Sequence, residues 1–148
     1  MSSSNYLTRN LTLHVRDTCL CLHVRRAARA VARRYDEALR SLGITNGQFS
    51  LMMALNRPAP PTMGEVARVL AMDRTTLTAN LKPLERRGLV EVTQDPADKR
   101  SRRMALTPSG RELLATALPL WRDAQSESAR LLGQADPQRL LADLRALS

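Results

Sequence analysis

Apolar residues recur every three or four positions along one early stretch: Leu20, Val24, Ala27 or Ala28, Val31, Tyr35, Ala38 and Leu42. That is the period of an amphipathic helix. The pattern predicts one helix over 17–42, capped by Asp17 or Thr18 and closed by Gly43. At about 25 residues such a helix reaches roughly 37 Å, more than a lone small domain needs, which predicts a helix that bridges to a second subunit. Thr45 with Gln48 forms a capping box that opens a second helix to Asn56, and Pro58, Pro60 and Pro61 then break the chain. Thr62 with Glu65 repeats the box for a third helix ending near Leu70. Asp73 caps a fourth that runs to Arg87, with Gly88 just past its end. Leu89–Thr93 and Arg102–Leu106 read as two short strands around a charged turn from Gln94 to Arg100. Thr107-Pro108 and Asp136-Pro137 are N-cap and N1 pairs. They predict a fifth helix to about Leu132, kinked at Pro119, and a last one to Leu147.

Helix, short turn, helix, hairpin is the order of a winged helix-turn-helix, with Ala71-Met72 as the turn. The expected fold is mainly α with a small β-hairpin wing. On the fourth helix Leu77, Leu81 and Leu84 mark the inward face. Arg74, Thr75, Thr78 and Lys82 lie toward the other side, with Thr76 and Asn80 at its flank. A short, hydroxyl-rich and basic face at a helix N-terminus suits entry into a DNA major groove. The hairpin brings Lys99, Arg100, Arg102 and Arg103 together. Arg100 at the tip is placed to reach a narrow minor groove, with Asp98 near enough to hold its guanidinium.

Composition points the same way. The 148 residues hold 23 Lys and Arg against 14 Asp and Glu, a net +9, and only Lys82 and Lys99 are lysines. Arginine forks onto phosphate bidentately, so such a surface suits a nucleic-acid partner. No apolar run is long enough to span a bilayer, and MSSSNYLTRN does not read as a signal peptide, so a cytoplasmic protein without membrane contact is expected. Two cysteines in that reducing compartment are not expected to form a structural disulfide. An enzyme is disfavoured by the lack of a Gly-rich phosphate loop, a His-Glu metal motif or a nucleophile elbow. A winged helix used as an architectural module, binding DNA without sequence preference, stays open.

At these residues the chain resembles the MarR family of regulators. The resemblance is carried by "TMGEVARVLAMDRTTLTANLKPLERRGLVEV" and "DPADKRSRRMALTPSG". Asp98, Arg100, Met104, Leu106, Thr107 and Gly110 meet the family's wing signature, and the likeness extends upstream through "RRAARAVARRYDEALRSLGITNGQFSLMMAL". It implies a homodimer with interlocked N- and C-terminal helices that offers one winged helix to each half of a pseudo-palindromic duplex operator. It also implies a repressor released by an effector. On this reading 1–15 is a flexible arm, 16–44 and 108–148 are dimerisation helices, and 45–107 is the DNA-binding region, all within one compact domain. No cofactor is expected.

Three effector chemistries are open. One branch of the family, the organic-hydroperoxide regulators, spaces a reactive cysteine and a tyrosine as Cys21 and Tyr35 are spaced here. That branch's other tyrosines are replaced by Arg25 and Asn46. Arg25, one turn beyond Cys21, would favour a thiolate. Within an intact helix Cys19 and Cys21 diverge by about 200°, which keeps them from pairing with each other. Second, Cys19, Cys21 and His23 form a Cys-x-Cys-x-His run, but Cys21 points away from the other two and a closed zinc site wants four ligands, so no metal is expected. Third, Phe49, Met52, Met53, His23 and Tyr35 are candidates to line a cleft for a small aromatic molecule, although Met and Phe at helical spacing are more often plain core.

Overall fold

A computed structural model describes residues 7–148 and divides into two compact units, one up to Arg33 and one from Arg34 to Ser148. The first unit holds α1 (Arg9–Thr18) and most of α2 (Leu20–Leu39). The stretch expected as a flexible arm is therefore helical from Arg9 onward, and 1–6 lie outside the described residues. Thr8 accounts for this, since its hydroxyl accepts the Leu11 amide at 3.2 Å and caps α1.

The helix predicted over 17–42 is interrupted at Cys19, which is extended (φ −70°, ψ 110°). Neither expected cap is available. Asp17 is held by Arg16 at 2.6 Å, and the Thr18 hydroxyl donates to the His14 carbonyl at 2.7 Å. The Cys19 Sγ accepts the Leu22 amide instead, at 3.4 Å. At the other end α2 stops at Leu39, a 3₁₀ turn covers Arg40–Leu42, and Gly43 closes it at φ +67°. No residue of α1 is buried, and Leu39 alone is buried in α2.

The second unit contains the core. Its further elements are α3 (Asn46–Ala54), α4 (Met63–Val69), α5 (Arg74–Arg86), β1 (Val90–Gln94), β2 (Arg102–Leu106), α6 (Pro108–Arg130) and α7 (Pro137–Ala146). Both predicted capping boxes form, Thr45 with Gln48 and Thr62 with Glu65. Leu77, Leu81 and Leu84 of α5 pack with Leu51, Met52 and Leu55 of α3, Val66 of α4, and Val90, Met104 and Leu106 of the hairpin. The strands pair antiparallel, from Val90↔Leu106 to Gln94↔Arg102. The proline-rich loop adds a further rung: Thr62 bridges Arg103, and the Met104 amide donates to the Pro61 carbonyl at 3.0 Å. Pro119 lies inside α6 without ending it.

The start of α6 explains the Leu-Thr-x-x-Gly run. Thr107 caps the helix by accepting the Gly110 amide at 3.0 Å, and its own hydroxyl donates to the Gly88 carbonyl at 2.6 Å. A side chain at Gly110 would place its Cβ 2.0 Å from the Leu89 carbonyl oxygen, so glycine is what lets α6 leave the hairpin this closely. At the far end α7 buries no residue; Leu140, Leu141 and Leu144 are each 40% exposed and Leu147 64%.

Candidate nucleic-acid interface

The reading element is set by the turn that precedes it. Ala71 adopts φ +49°, the one left-handed non-glycine among the described residues, at a steric cost of about 1–2 kcal/mol. The Met72 amide, which donates to the Ala67 carbonyl at 2.9 Å, helps hold it there. The chain thereby reverses into α5 over the expected Ala71-Met72 pair. Asp73 then caps α5, accepting the Thr76 amide at 2.7 Å and the Thr76 hydroxyl at 3.0 Å. Those two bonds, the backbone one first, hold the Asp73 carboxyl below its ordinary range.

Arg74, Thr75, Thr78, Ala79 and Lys82 line one shallow concave surface. Arg74, Thr75 and Lys82 are exposed and Thr78 is half-buried. The helix N-terminus thus presents a guanidinium, hydroxyls and an ammonium on one face, with the positive end of its dipole beneath them. Thr76 is exposed, but its hydroxyl is spent on Asp73. Asn80 lies at the flank, but its side chain is engaged within the unit. It is half-buried, its amide donates to the Thr76 carbonyl at 3.1 Å, and it lies against Gly47 of α3. The i+4 return to Thr76 turns it inward, a choice that helical spacing alone does not reveal.

The wing is fastened differently from the expectation. Asp98 accepts the backbone amide of Arg100 at 3.0 Å and does not hold its guanidinium. The ion pair belongs to Asp95 and Arg103, 3.2 Å apart, with the Asp95 side chain only 8% exposed. Asp95 also accepts the Ala97 amide at 3.0 Å, and Arg103 donates to the Pro60 carbonyl at 2.7 Å. The Ala97 bond, followed by Arg103, holds the Asp95 carboxyl below its ordinary range. Of the four cations clustered at the hairpin, Arg103 therefore faces the body of the unit, while Lys99, Arg100 and Arg102 remain exposed. A turn opening on Asp95-Pro96, with Arg103 on the opposite pleat from Arg102, was the available signal.

The effector candidates separate. Phe49 and Trp121 stack with ring centroids 6.2 Å apart and planes 16° off parallel. With Ser50, Met53, Ala54, Val69, Leu70 and Leu118 they line an apolar cleft of about 410 Å³. Met52 is fully buried in the core and does not line it. The Tyr35 hydroxyl donates to Gln125 of α6. In the first unit Cys21, His23 and Arg25 are exposed, and the His23 ring Nδ1 lies 2.8 Å from the Cys19 carbonyl. Because Cys19 is outside the helix, the divergence expected between Cys19 and Cys21 on an intact helix does not apply. No group of three or more His, Cys, Asp or Glu is placed to hold a metal among the described residues. No described helix is long and apolar enough to cross a membrane.

A family model described as "MarR family" matches residues 42–101. The transcriptional activatory protein BadR of Rhodopseudomonas palustris is 37% identical over 79 residues, covering 51% of this chain and 45% of that protein. The HTH-type transcriptional repressor NicR of Pseudomonas putida is 30% identical over 104 residues, 70% of this chain and 66% of that one. The matches thus span about half to two thirds of these relatives' lengths. Among solved structures, the M. tuberculosis transcriptional regulator MosR in complex with DNA superposes with a TM-score of 0.78 at 42% identity, covering 87% of this chain and 92% of that one. All three are named as regulators of transcription. With the family model lying over the α3-to-wing region and that 42% identity running across most of its length, the chain belongs to the MarR family of transcriptional regulators.

Proposed function

We propose that the chain is a homodimeric repressor that holds a pseudo-palindromic duplex operator and releases it when a small molecule binds. The observation that carries the reading is the shared face of Arg74, Thr75, Thr78 and Lys82 at the start of α5, followed by a wing whose Lys99, Arg100 and Arg102 are exposed. In this arrangement Arg74, Thr75 and Thr78 meet base edges or adjacent phosphates in the major groove and Lys82 meets phosphate. Arg100 enters the minor groove, where a narrow A·T-rich tract concentrates negative potential. Thr76 and Asn80 act behind this surface, fixing the cap and the turn.

The test is a gel shift on the duplex upstream of the chain's own gene, beside a random duplex of equal length. A regulator prefers its site by about a thousandfold or more; equal affinity would leave a non-specific architectural module. Arg100→Ala should weaken operator binding more than tenfold without dissociating the dimer, and unchanged affinity would remove the wing from the mechanism. The effector is assigned to the Phe49–Trp121 cleft, whose lining suits a flat apolar or aromatic molecule. Trp121 is the sole tryptophan of the chain, so titration with aromatic acids should change its fluorescence and release the operator together.

A second reading rests on the exposed Cys21 thiol. Its thiolate would attack a hydroperoxide oxygen, becoming a sulfenic acid while the peroxide leaves as the alcohol. Hydroperoxide should then release the operator from the wild type and not from Cys21→Ser.

A further inference from the structure

Much of the net charge lies outside the α5 and wing residues. Between Leu7 and Arg33 the sequence has six arginines and one acid, Asp17, so this first unit carries more than half of the chain's +9. Asp17 is already occupied by Arg16 at 2.6 Å. Arg25, Arg26, Arg29 and Arg33 of α2 are exposed, and none makes an ion pair among the described residues. Arg25, Arg29 and Arg33 follow one another at four-residue steps, each about 40° further round the helix, and Arg26 shares the angle of Arg33 two turns earlier. They form one stripe roughly 12 Å long. Like charges one turn apart weaken a helix, so the stripe opposes the stability of α2 unless an anion covers it.

Of the exposed apolar residues of α2, Leu20, Val24 and Val31 centre roughly 170° away on the opposite side, while Leu22 lies on the stripe's own side, one turn before Arg25. A subunit that buries the apolar side leaves the arginine side open. We propose that the Arg25–Arg29–Arg33 face of α2 is a second, sequence-independent phosphate-binding surface whose occupant is the backbone of duplex DNA. The inference rests on the DNA-binding function proposed above. Arginine, with its planar fork and weak hydration, is suited to phosphate oxygens where lysine is a point charge. An anionic membrane is the less suitable occupant, because interfacial helices anchor through Trp, Phe or Leu and this apolar side is largely alanine and valine.

The experiment compares the full-length wild type with Arg25→Gln/Arg29→Gln/Arg33→Gln. Fluorescence anisotropy on operator and random duplexes over a salt series gives the slope of log affinity against log salt. Each lost phosphate contact should lower that slope by about 0.9. The expected result is a slope reduced by about 2 or more, with affinity down on the order of tenfold for both duplexes alike and their ratio preserved. An unchanged slope in the variant, beside a wild type that binds its operator, overturns the inference alone. A wild type that binds no duplex overturns the underlying function instead. Sedimentation and vesicle pelleting close the remaining routes. Loss of the dimer would place the stripe in the subunit interface. Loss of binding to anionic vesicles with DNA affinity intact would make a membrane the occupant. Either overturns the proposal.

Discussion

Two glycines separate steric need from convenience. A Cβ at Gly110 would lie 2.0 Å from the Leu89 carbonyl oxygen, a backbone atom that cannot swing aside, whereas one at Gly64 of α4 meets nothing nearer than 3.8 Å. Gly110→Ala should therefore lower unfolding stability by about 1–3 kcal/mol despite alanine's better helix propensity. Gly64→Ala should be neutral or gain up to about 1 kcal/mol. Urea denaturation of both checks this, and equal behaviour would mean that α6 can back away from Leu89 at little cost. The Asp95–Arg103 pair has its own signature in pH. The folded Asp95 carboxyl is held below its ordinary 3.8 by the Ala97 amide and Arg103. The folded state therefore binds that proton less readily than the unfolded chain, and the resulting stability is present above about pH 4 and lost as pH falls through the depressed value. Asp95→Asn should lower the urea midpoint at pH 7 and narrow its difference from wild type at pH 3. A constant difference at both values would separate the loss from titration.

At the scale of elements, what was legible in the sequence was whatever is written in local chemistry. The boxes Thr45–Gln48 and Thr62–Glu65, the Asp73 cap, the inward trio Leu77, Leu81 and Leu84, and both strands form within a residue or two of their expected bounds. The break at Cys19 was illegible because the apolar stripe continues after it, while the interruption depends on which of Asp17, Thr18 and Cys19 is free to cap. The wing's fastening was illegible for a different reason. Asp98–Arg100 is the nearer pair along the chain, but only the fold brings Pro60 beside Arg103. A prediction follows for the hairpin. Arg103→Ala removes both ties, to Asp95 and to Pro60, leaving Arg100 on a looser turn. Operator affinity should fall about tenfold, an expected loss of orientation, although Arg103 does not face outward. Arg103→Lys should recover only part of it, because a point charge cannot reproduce the fork that reaches two partners. Full recovery by lysine would reduce the role of Arg103 to its charge.

For the whole molecule, the exposed apolar surface is what the proposed dimer would cover. Leu140 and Leu144 follow one face of α7, with Leu147 capping its end, and Leu11 and Val15 follow one face of α1, all at least 40% exposed. Neither helix buries any residue in a single chain. A helix with no buried face has little to hold it, so both call for cover, and burying a leucine fully contributes about 1.5–3 kcal/mol. Leu140→Asp/Leu144→Asp should therefore convert the dimer to monomer in sedimentation. The α5 and wing surface should stay intact, since neither leucine belongs to its core cluster, and unchanged Trp121 fluorescence would establish that, while the unfolding midpoint falls by what the dimer contributed. Operator affinity should drop at least a hundredfold, because the second half-site then loses the high effective concentration that a linked pair of subunits supplies. Binding to a single half-site should change little. A variant that stays dimeric would move the interface off α7. One that becomes monomeric yet keeps full operator affinity would mean that a single winged helix carries all the recognition, and the palindrome would have no structural counterpart.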